Sequence, residues 1–219
     1  MPELLRVDES DLSALIDRLR PVAGTGRWLL GLAGAPGVGK STVAAALGAA
    51  LAPAAVLVPL DGFHLADDQL HRLGRHARKG APDTFDPAGY VQLLRQLREP
   101  GPDPVYAPRF DRRREEAIAG AIEVPPELSL VLTEGNYLLL ADRPWAAVRG
   151  LLDEVWFLER DEPERIERLT ARHVRYGRSR AEAAARATGT DQRNADLVAA
   201  TRHRADLVVR LSCGGAGRG

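Results

Sequence analysis

Of the 30 basic residues only two are lysines, Lys40 and Lys79. Arginine richness therefore carries little functional meaning in this chain, and each lysine carries more. Neither sign of charge prevails, since 30 acidic residues bring the formal net charge to zero. That speaks against a protein working by bulk attraction to nucleic acid or to an anionic membrane, and neither is expected as a partner. The single cysteine, Cys213, lies in a glycine-rich tail, which leaves neither a disulfide framework nor a cysteine metal cluster. No apolar run approaches the roughly 20 residues of a bilayer-crossing helix, and the first residues lack a signal-peptide core. A cytoplasmic protein is expected. There is no internal repeat, and 219 residues suit one domain with a substantial core.

What is present centres on residues 34–41, Gly-Ala-Pro-Gly-Val-Gly-Lys-Ser. They fit G-x-x-x-x-G-K-[ST], the phosphate-binding P-loop, at every defined position. A loop that wraps a polyphosphate turns its backbone N–H groups inward, which needs residues tolerant of positive φ with no Cβ in the way. Gly34, Gly37 and Gly39 supply that freedom, with Ala35, Pro36 and Val38 between them. Lys40 then reaches the β- and γ-phosphates, and the Ser41 hydroxyl can ligate Mg²⁺. Residues 28–33 before the loop read as a buried strand, and Ser41, Thr42 and the residues after them open a helix whose N-terminus faces the anion.

The remaining chain alternates strands with helices. Leu12, Leu15, Ile16 and Leu19 share one helical face, so residues 1–24 are expected as an N-terminal helix ended by Pro21. Residues 54–60 read as a second strand, pushed towards an edge by Pro59, that delivers Asp61, Phe63 and His64 to its tip. Residues 67–87 read as a long loop or broken helix, and Pro87 opens a helix carrying Tyr90, Val91, Leu94 and Leu97. Residues 105–111 form a short extended segment before the run Arg112-Arg113-Arg114. Residues 129–133 read as a buried strand ending at Glu134, residues 145–152 as helical, and residues 154–158 as the next strand. A helix from 161 to about 176 carries Arg165, Arg168, Arg172 and Arg175, two further helices follow, and residues 206–211 close the sheet. Such alternation implies a mostly parallel α/β sheet.

In an open parallel sheet ligands gather at the carboxyl ends of the strands. Three strands here end at the P-loop, Asp61 and Glu134. A carboxylate at such a tip either holds Mg²⁺ or takes the proton from an attacking hydroxyl, and the expected division is Asp61 as base and Glu134 near the metal. Helix capping or arginine pairing is the plainer alternative for each. The arginine stripe suits a mobile cationic lid over the γ-phosphate, although a solvated helix face would look the same for any single arginine. Three of the five histidines, His64, His71 and His76, follow the second strand and are expected to contact substrate. Phe63, Phe85, Tyr106 and Tyr137 could line a small-molecule pocket or pack in the core.

Residues 34–41, Asp61-Gly62-Phe63, residues 79–86 (Lys-Gly-Ala-Pro-Asp-Thr-Phe-Asp), Pro104-Val105-Tyr106 and Glu134-Gly135 resemble the P-loop kinases that include uridine kinase, phosphoribulokinase and bacterial type I pantothenate kinase. Order and spacing match over most of the chain. The Lys79 segment is closest to the pantothenate kinase form. The resemblance implies that Asp61 is the catalytic base and that Arg168, Arg172 and Arg178 belong to the lid. Where the family carries a histidine after the tyrosine, this chain has Ala107-Pro108-Arg109-Phe110-Asp111, and it is short for a pantothenate kinase.

The expected fold is thus the three-layer α/β P-loop NTPase fold over residues 1–219, with an acceptor-site insertion at 62–112, a helical arginine-bearing lid at 161–190 and a disordered tail at 212–219. The expected activity is transfer of the γ-phosphate of ATP, with Mg²⁺, to a hydroxyl of pantothenate, a nucleoside or a sugar. Catalysis is assigned to Asp61, Lys40, Arg168 and Arg172. Nucleotide binding falls to residues 34–42 and Arg178, metal binding to Ser41 and Glu134. Acceptor contacts are assigned to Asp61, Phe63, His64, Lys79, Phe85, Tyr106, Arg109 and Tyr137. Arg109 would suit an acidic acceptor, or simply pair with Asp111. The rival reading is a P-loop hydrolase or switch acting on a protein, but neither lysine sits in the Asn-Lys-x-Asp motif of guanine switches, and the Ser-Gly-Gly signature of ABC ATPases is missing. Oligomeric state stays open, a homodimer included.

Overall fold

The computed structural model describes residues 2–212; of the tail expected at 212–219, Ser212 is instead the last residue of a strand, and Cys213 and the rest lie outside the described residues. Six parallel strands form the main sheet. In chain order they are β1 (Glu3–Asp8), β2 (Trp28–Gly34), β3 (Ala55–Leu57), β6 (Leu130–Glu134), β7 (Glu154–Glu159) and β8 (Leu207–Ser212), with the antiparallel pair β4 (Val105–Asp111) and β5 (Glu116–Val124) set apart as a hairpin. The spatial order is β1-β8-β7-β2-β6-β3. Parallel pairing sends every carboxyl end to one rim, and the register sets Leu32 of β2 beside Glu134 of β6.

Two cores sandwich this sheet, and strand periodicity assigns residues to them. Leu29 and Ala33 of β2 face the core containing Tyr90, Leu94 and Leu97 of α4 (Pro87–Arg98). Leu30 and Leu32 face the opposite core, with Leu15 and Leu19 of α1 (Ser13–Leu19) and Val43 and Leu47 of α2 (Lys40–Ala50). Helix, sheet and helix make the three layers of the P-loop fold. Asp86 caps α4 by accepting from Gly89 N at 2.9 Å, and Pro87 takes the first helical position where no N–H is needed.

Three expectations are corrected and one strand is added. The segment 1–24 begins with strand β1, not helix; only Val7 of that edge strand is buried and Leu4 is exposed, so alternation is too weak to read. The arginine run at 112–114 is a hairpin turn leading into β5, whose Ala- and Gly-rich sequence carries little strand propensity. Residues 145–152 make two short 3₁₀ turns after Pro144, with Gly150 in the second. Strand β3 stops at Leu57, and Asp61 sits in a 3₁₀ turn, Leu60–Phe63. Beyond it lie α3 (Asp67–Arg72) and, later, α5 (Glu162–Arg175), α6 (Arg180–Thr188) and α7 (Thr190–Ala199).

Candidate active site

At the carboxyl rim a cavity of about 840 Å³ is walled by the P-loop, the tip of β6, the Asp61 turn, the β4–β5 turn and helices α5 to α7. The P-loop glycines take the conformations their spelling anticipates, with φ of 147° at Gly34, 86° at Gly37 and 109° at Gly39. All three are left-handed values that a side chain would strain. Pro36, Lys40, Ser41 and Thr42 line the cavity, while the Val38 side chain is buried in the core. Lys40 Nζ donates to Gly34 O at 2.9 Å, Ala35 O at 3.0 Å and Asn136 Oδ1 at 2.7 Å. Burial lowers its pKa to about 8, against the pull of Glu134 and Asp61.

The Ser41 hydroxyl donates to Glu134 Oε1 at 2.8 Å. Burial, and then the neighbouring Asp61 charge, raise the pKa of Glu134. A hydroxyl and a carboxylate are hard oxygen donors that suit a divalent cation such as Mg²⁺, and the repulsion between these two acids is what a cation would relieve. Asp61 is shifted the other way. Burial alone would raise its pKa, but His64, Arg112, Lys40 and Arg172 together hold the carboxyl below its ordinary value. Its Oδ2 accepts from Arg112 at 2.7 Å; Oδ1 accepts no hydrogen bond among the described residues and is left for another donor.

Around Asp61 the structure gathers some expected residues and disperses others. His64 and Phe85 line the cavity, ring on ring at 4.0 Å. Lys79 lines it too, but its ammonium is engaged by Asp67 Oδ1 at 2.7 Å and Glu115 O at 2.6 Å. Arg168, Arg172 and Arg178 all line the cavity from α5 and the turn after it, with the Arg168 guanidinium donating to Glu9 at 2.7 and 2.9 Å. Enclosure by the protein, followed by the nearness of Arg112, lowers the pKa of Arg172.

Four acceptor assignments are corrected. Phe63 packs edge-on against Tyr90 at 5.2 Å, and Tyr137 is buried with its hydroxyl donating to Gly80 O. Each braces a wall from behind. Tyr106 and Arg109 are exposed on the hairpin outside the cavity lining. Tyr106 faces outward by plain alternation with buried Ala107, and a register shift between Ala107 and Arg109 then aims Phe110 at the cavity and Arg109 at solvent. Phe110 touches the His64 ring at 4.8 Å and leads to Arg112. Sequence reading also passed over Arg112, Asn136 and the pair His173–Asp191, joined at 2.7 Å in the cavity wall. The arginine run was visible as a run, but only the hairpin turn singles out which member faces Asp61.

A glycine loop for polyphosphate, a lysine and hydroxyl at its end, and two carboxylates of opposed acidity define a P-loop phosphotransferase site. No protein-family model matches the chain. It is 34% identical over 160 residues to a Schizosaccharomyces pombe protein provisionally named uridine kinase, covering 69% of this chain and 68% of that one. It is 35% identical over 135 residues to the pantothenate kinase of Sorangium cellulosum, spanning 59% of this chain and 43% of that enzyme. Among solved structures, a protein of Silicibacter sp. TM1040, provisionally named a fructose transport system kinase, superposes with a TM-score of 0.80 at 41% identity, over 90% of this chain and 98% of its own. The chain belongs to the P-loop kinase family that includes uridine kinase and pantothenate kinase.

Proposed function

We propose that this kinase transfers the γ-phosphate of ATP to a hydroxyl of a small, neutral, hydroxyl-rich metabolite of the sugar class. The observation that carries the reading is the state of Asp61, ionised more readily than an ordinary carboxyl, tethered through Oδ2 and open at Oδ1. An acceptor hydroxyl hydrogen-bonded to Oδ1 would lose its proton there as its oxygen bonds to the γ-phosphorus. The bond from that phosphorus to the β,γ-bridging oxygen breaks, and ADP leaves. Lys40, Arg172 and Arg178 line the cavity and would face the phosphates, with Arg168 beside them paired to Glu9, and Mg²⁺ held at Ser41 and Glu134 would neutralise charge on the phosphate oxygens.

The acceptor class is supported by how charge is disposed on that side of the cavity. Lys79 is joined to Asp67, Arg112 to Asp61 and His173 to Asp191. Paired acids and bases offer alternating donors and acceptors, which suit a polyol better than an anion. Arg109, the cation on which an acidic acceptor would lean, faces solvent. The name given to the Silicibacter relative, a fructose transport system kinase, points in the same direction. Incubation with γ-labelled ATP, Mg²⁺ and a panel of hexoses, pentoses, nucleosides and pantothenate tests it. Label on a sugar supports the reading. Label confined to pantothenate or a nucleoside rejects the acceptor class while leaving the chemistry of Asp61 in place.

A further inference from the structure

A P-loop that turns its N–H groups towards phosphate must turn carbonyls outward, and buried outward carbonyls need donors. Two guanidinium groups meet that need here. Arg160, which follows β7 and whose side chain is fully buried, donates from Nε to Val38 O at 3.2 Å. Arg165, on the first half of α5 with a side chain 6% exposed, donates to Pro36 O at 3.1 Å. Both carbonyls belong to the loop between Gly34 and Lys40, on either side of Gly37. Helix α5 lies directly on the loop, since a Cβ at Gly37 would come within 2.8 Å of Arg165 O and 3.0 Å of Leu169 Cβ.

A third residue completes the arrangement. Glu9, just past β1, accepts from Arg160 at 2.7 Å and from both terminal nitrogens of Arg168 at 2.7 and 2.9 Å. Its carboxylate abuts the loop as well, for a Cβ at Gly39 would meet Glu9 Oε1 at 3.1 Å. A single carboxylate therefore joins the sheet edge, the end of β7, the lid helix and the back of the phosphate loop.

We propose that Arg160 and Arg165 are positioning residues that hold the P-loop in its phosphate-receiving form by binding its outward carbonyls, with Glu9 fixing Arg160 directly and the helix of Arg165 through Arg168. No contact with nucleotide is required of either arginine. Since Arg165 and Arg168 sit on one helix, the half of α5 that bears them is bound to the loop and to Glu9.

The test uses the full chain without acceptor, so it does not depend on which metabolite is phosphorylated. Arg165→Gln removes the charge and keeps much of the shape. Amide hydrogen exchange of Gly37, Val38 and Gly39 should quicken about tenfold, with exchange in β2 and β6 unchanged. Inorganic tripolyphosphate, measured by calorimetry, should bind about tenfold to a hundredfold more weakly, the size of one charge-assisted hydrogen bond. Arg165→Lys should recover part of both. Glu9→Gln, on the surface side of the network, should show the same pattern at smaller amplitude and serves if Arg165→Gln does not fold. Loop exchange and tripolyphosphate affinity within twofold of the parent protein in a folded variant would overturn the proposal. Quickened exchange throughout the core strands, with the loop no worse than the rest, would also overturn it, because the arginines would then be ordinary packing.

Discussion

Removing one charge or one hydroxyl-binding group at the cavity separates the roles of its residues. Lys40→Ala deletes the ammonium placed among the P-loop carbonyls and Asn136, and transfer should fall almost to background while the protein stays folded. Normal turnover in that variant would remove Lys40 from the reaction. Asp61→Asn keeps the contact to Arg112 but cannot accept a proton, so kcat should drop about a hundred- to ten-thousand-fold with ATP affinity little changed. Glu134→Gln should instead shift the Mg²⁺ concentration needed for half-maximal rate. If the magnesium shift appears with Asp61→Asn and the pure rate loss with Glu134→Gln, the two carboxylates have exchanged roles. The lowered pKa of Lys40, about 8, adds a proton-linked expectation. At pH 8 the free lysine is near half-charged, and an arriving polyphosphate favours the charged form. Metal-free tripolyphosphate should therefore bind with proton uptake, seen as a dependence of the calorimetric heat on buffer ionisation enthalpy. Zero uptake would mean the lysine is already fully protonated.

At the scale of elements, the part legible in the sequence was the part with a rigid spelling. Strand β2, the P-loop and α2 could be placed because three glycines and one lysine at set intervals have few other uses. The helix α4 could be placed because Tyr90, Val91, Leu94 and Leu97 repeat at helical spacing. Strand β1 was not legible, since an edge strand buries too little to alternate. Nor was the acceptor wall. Its orientation depends on a register shift in β4, and no local pattern distinguishes Arg109 from Arg112 without it. The hairpin docks on the Asp61 turn through Gly62, where a Cβ would collide with the Pro108 carbonyl. Gly62→Ala should consequently destabilise by about 1–3 kcal/mol, the usual range for overpacking. Acceptor KM should rise more than ATP KM, since the hairpin carries Phe110 and Arg112 and the P-loop does not depend on it. A thermal melt and the two KM values decide; an unchanged melting temperature would show that the hairpin sits looser against the turn than its contact with Gly62 implies.

For the whole molecule, the cavity is where distant stretches of chain converge. The P-loop, the Asp61 turn, the hairpin turn, the tip of β6 and α5 to α7 reach it from both sides of the sheet. Any ligand that bridges them is bound by the folded chain and by nothing in the unfolded one, so its affinity adds to stability by mass action. At a hundred times its dissociation constant MgATP contributes about 2.7 kcal/mol. For a chain of this size each kcal/mol moves the midpoint by about 2–4 °C. MgATP should accordingly raise Tm by about 5–11 °C, and EDTA should take back most of the gain by returning Glu134 and Asp61 to mutual repulsion. The sign for the unliganded Lys40→Ala protein is opposite to its effect on activity. Removing a buried ammonium whose pKa burial depresses should leave the free protein as stable as the parent or more so below pH 8, where that charge must be held in the fold. The variant should gain little from MgATP. A melt in which Lys40→Ala responds to MgATP as the parent does would show that the nucleotide is held elsewhere than in this loop.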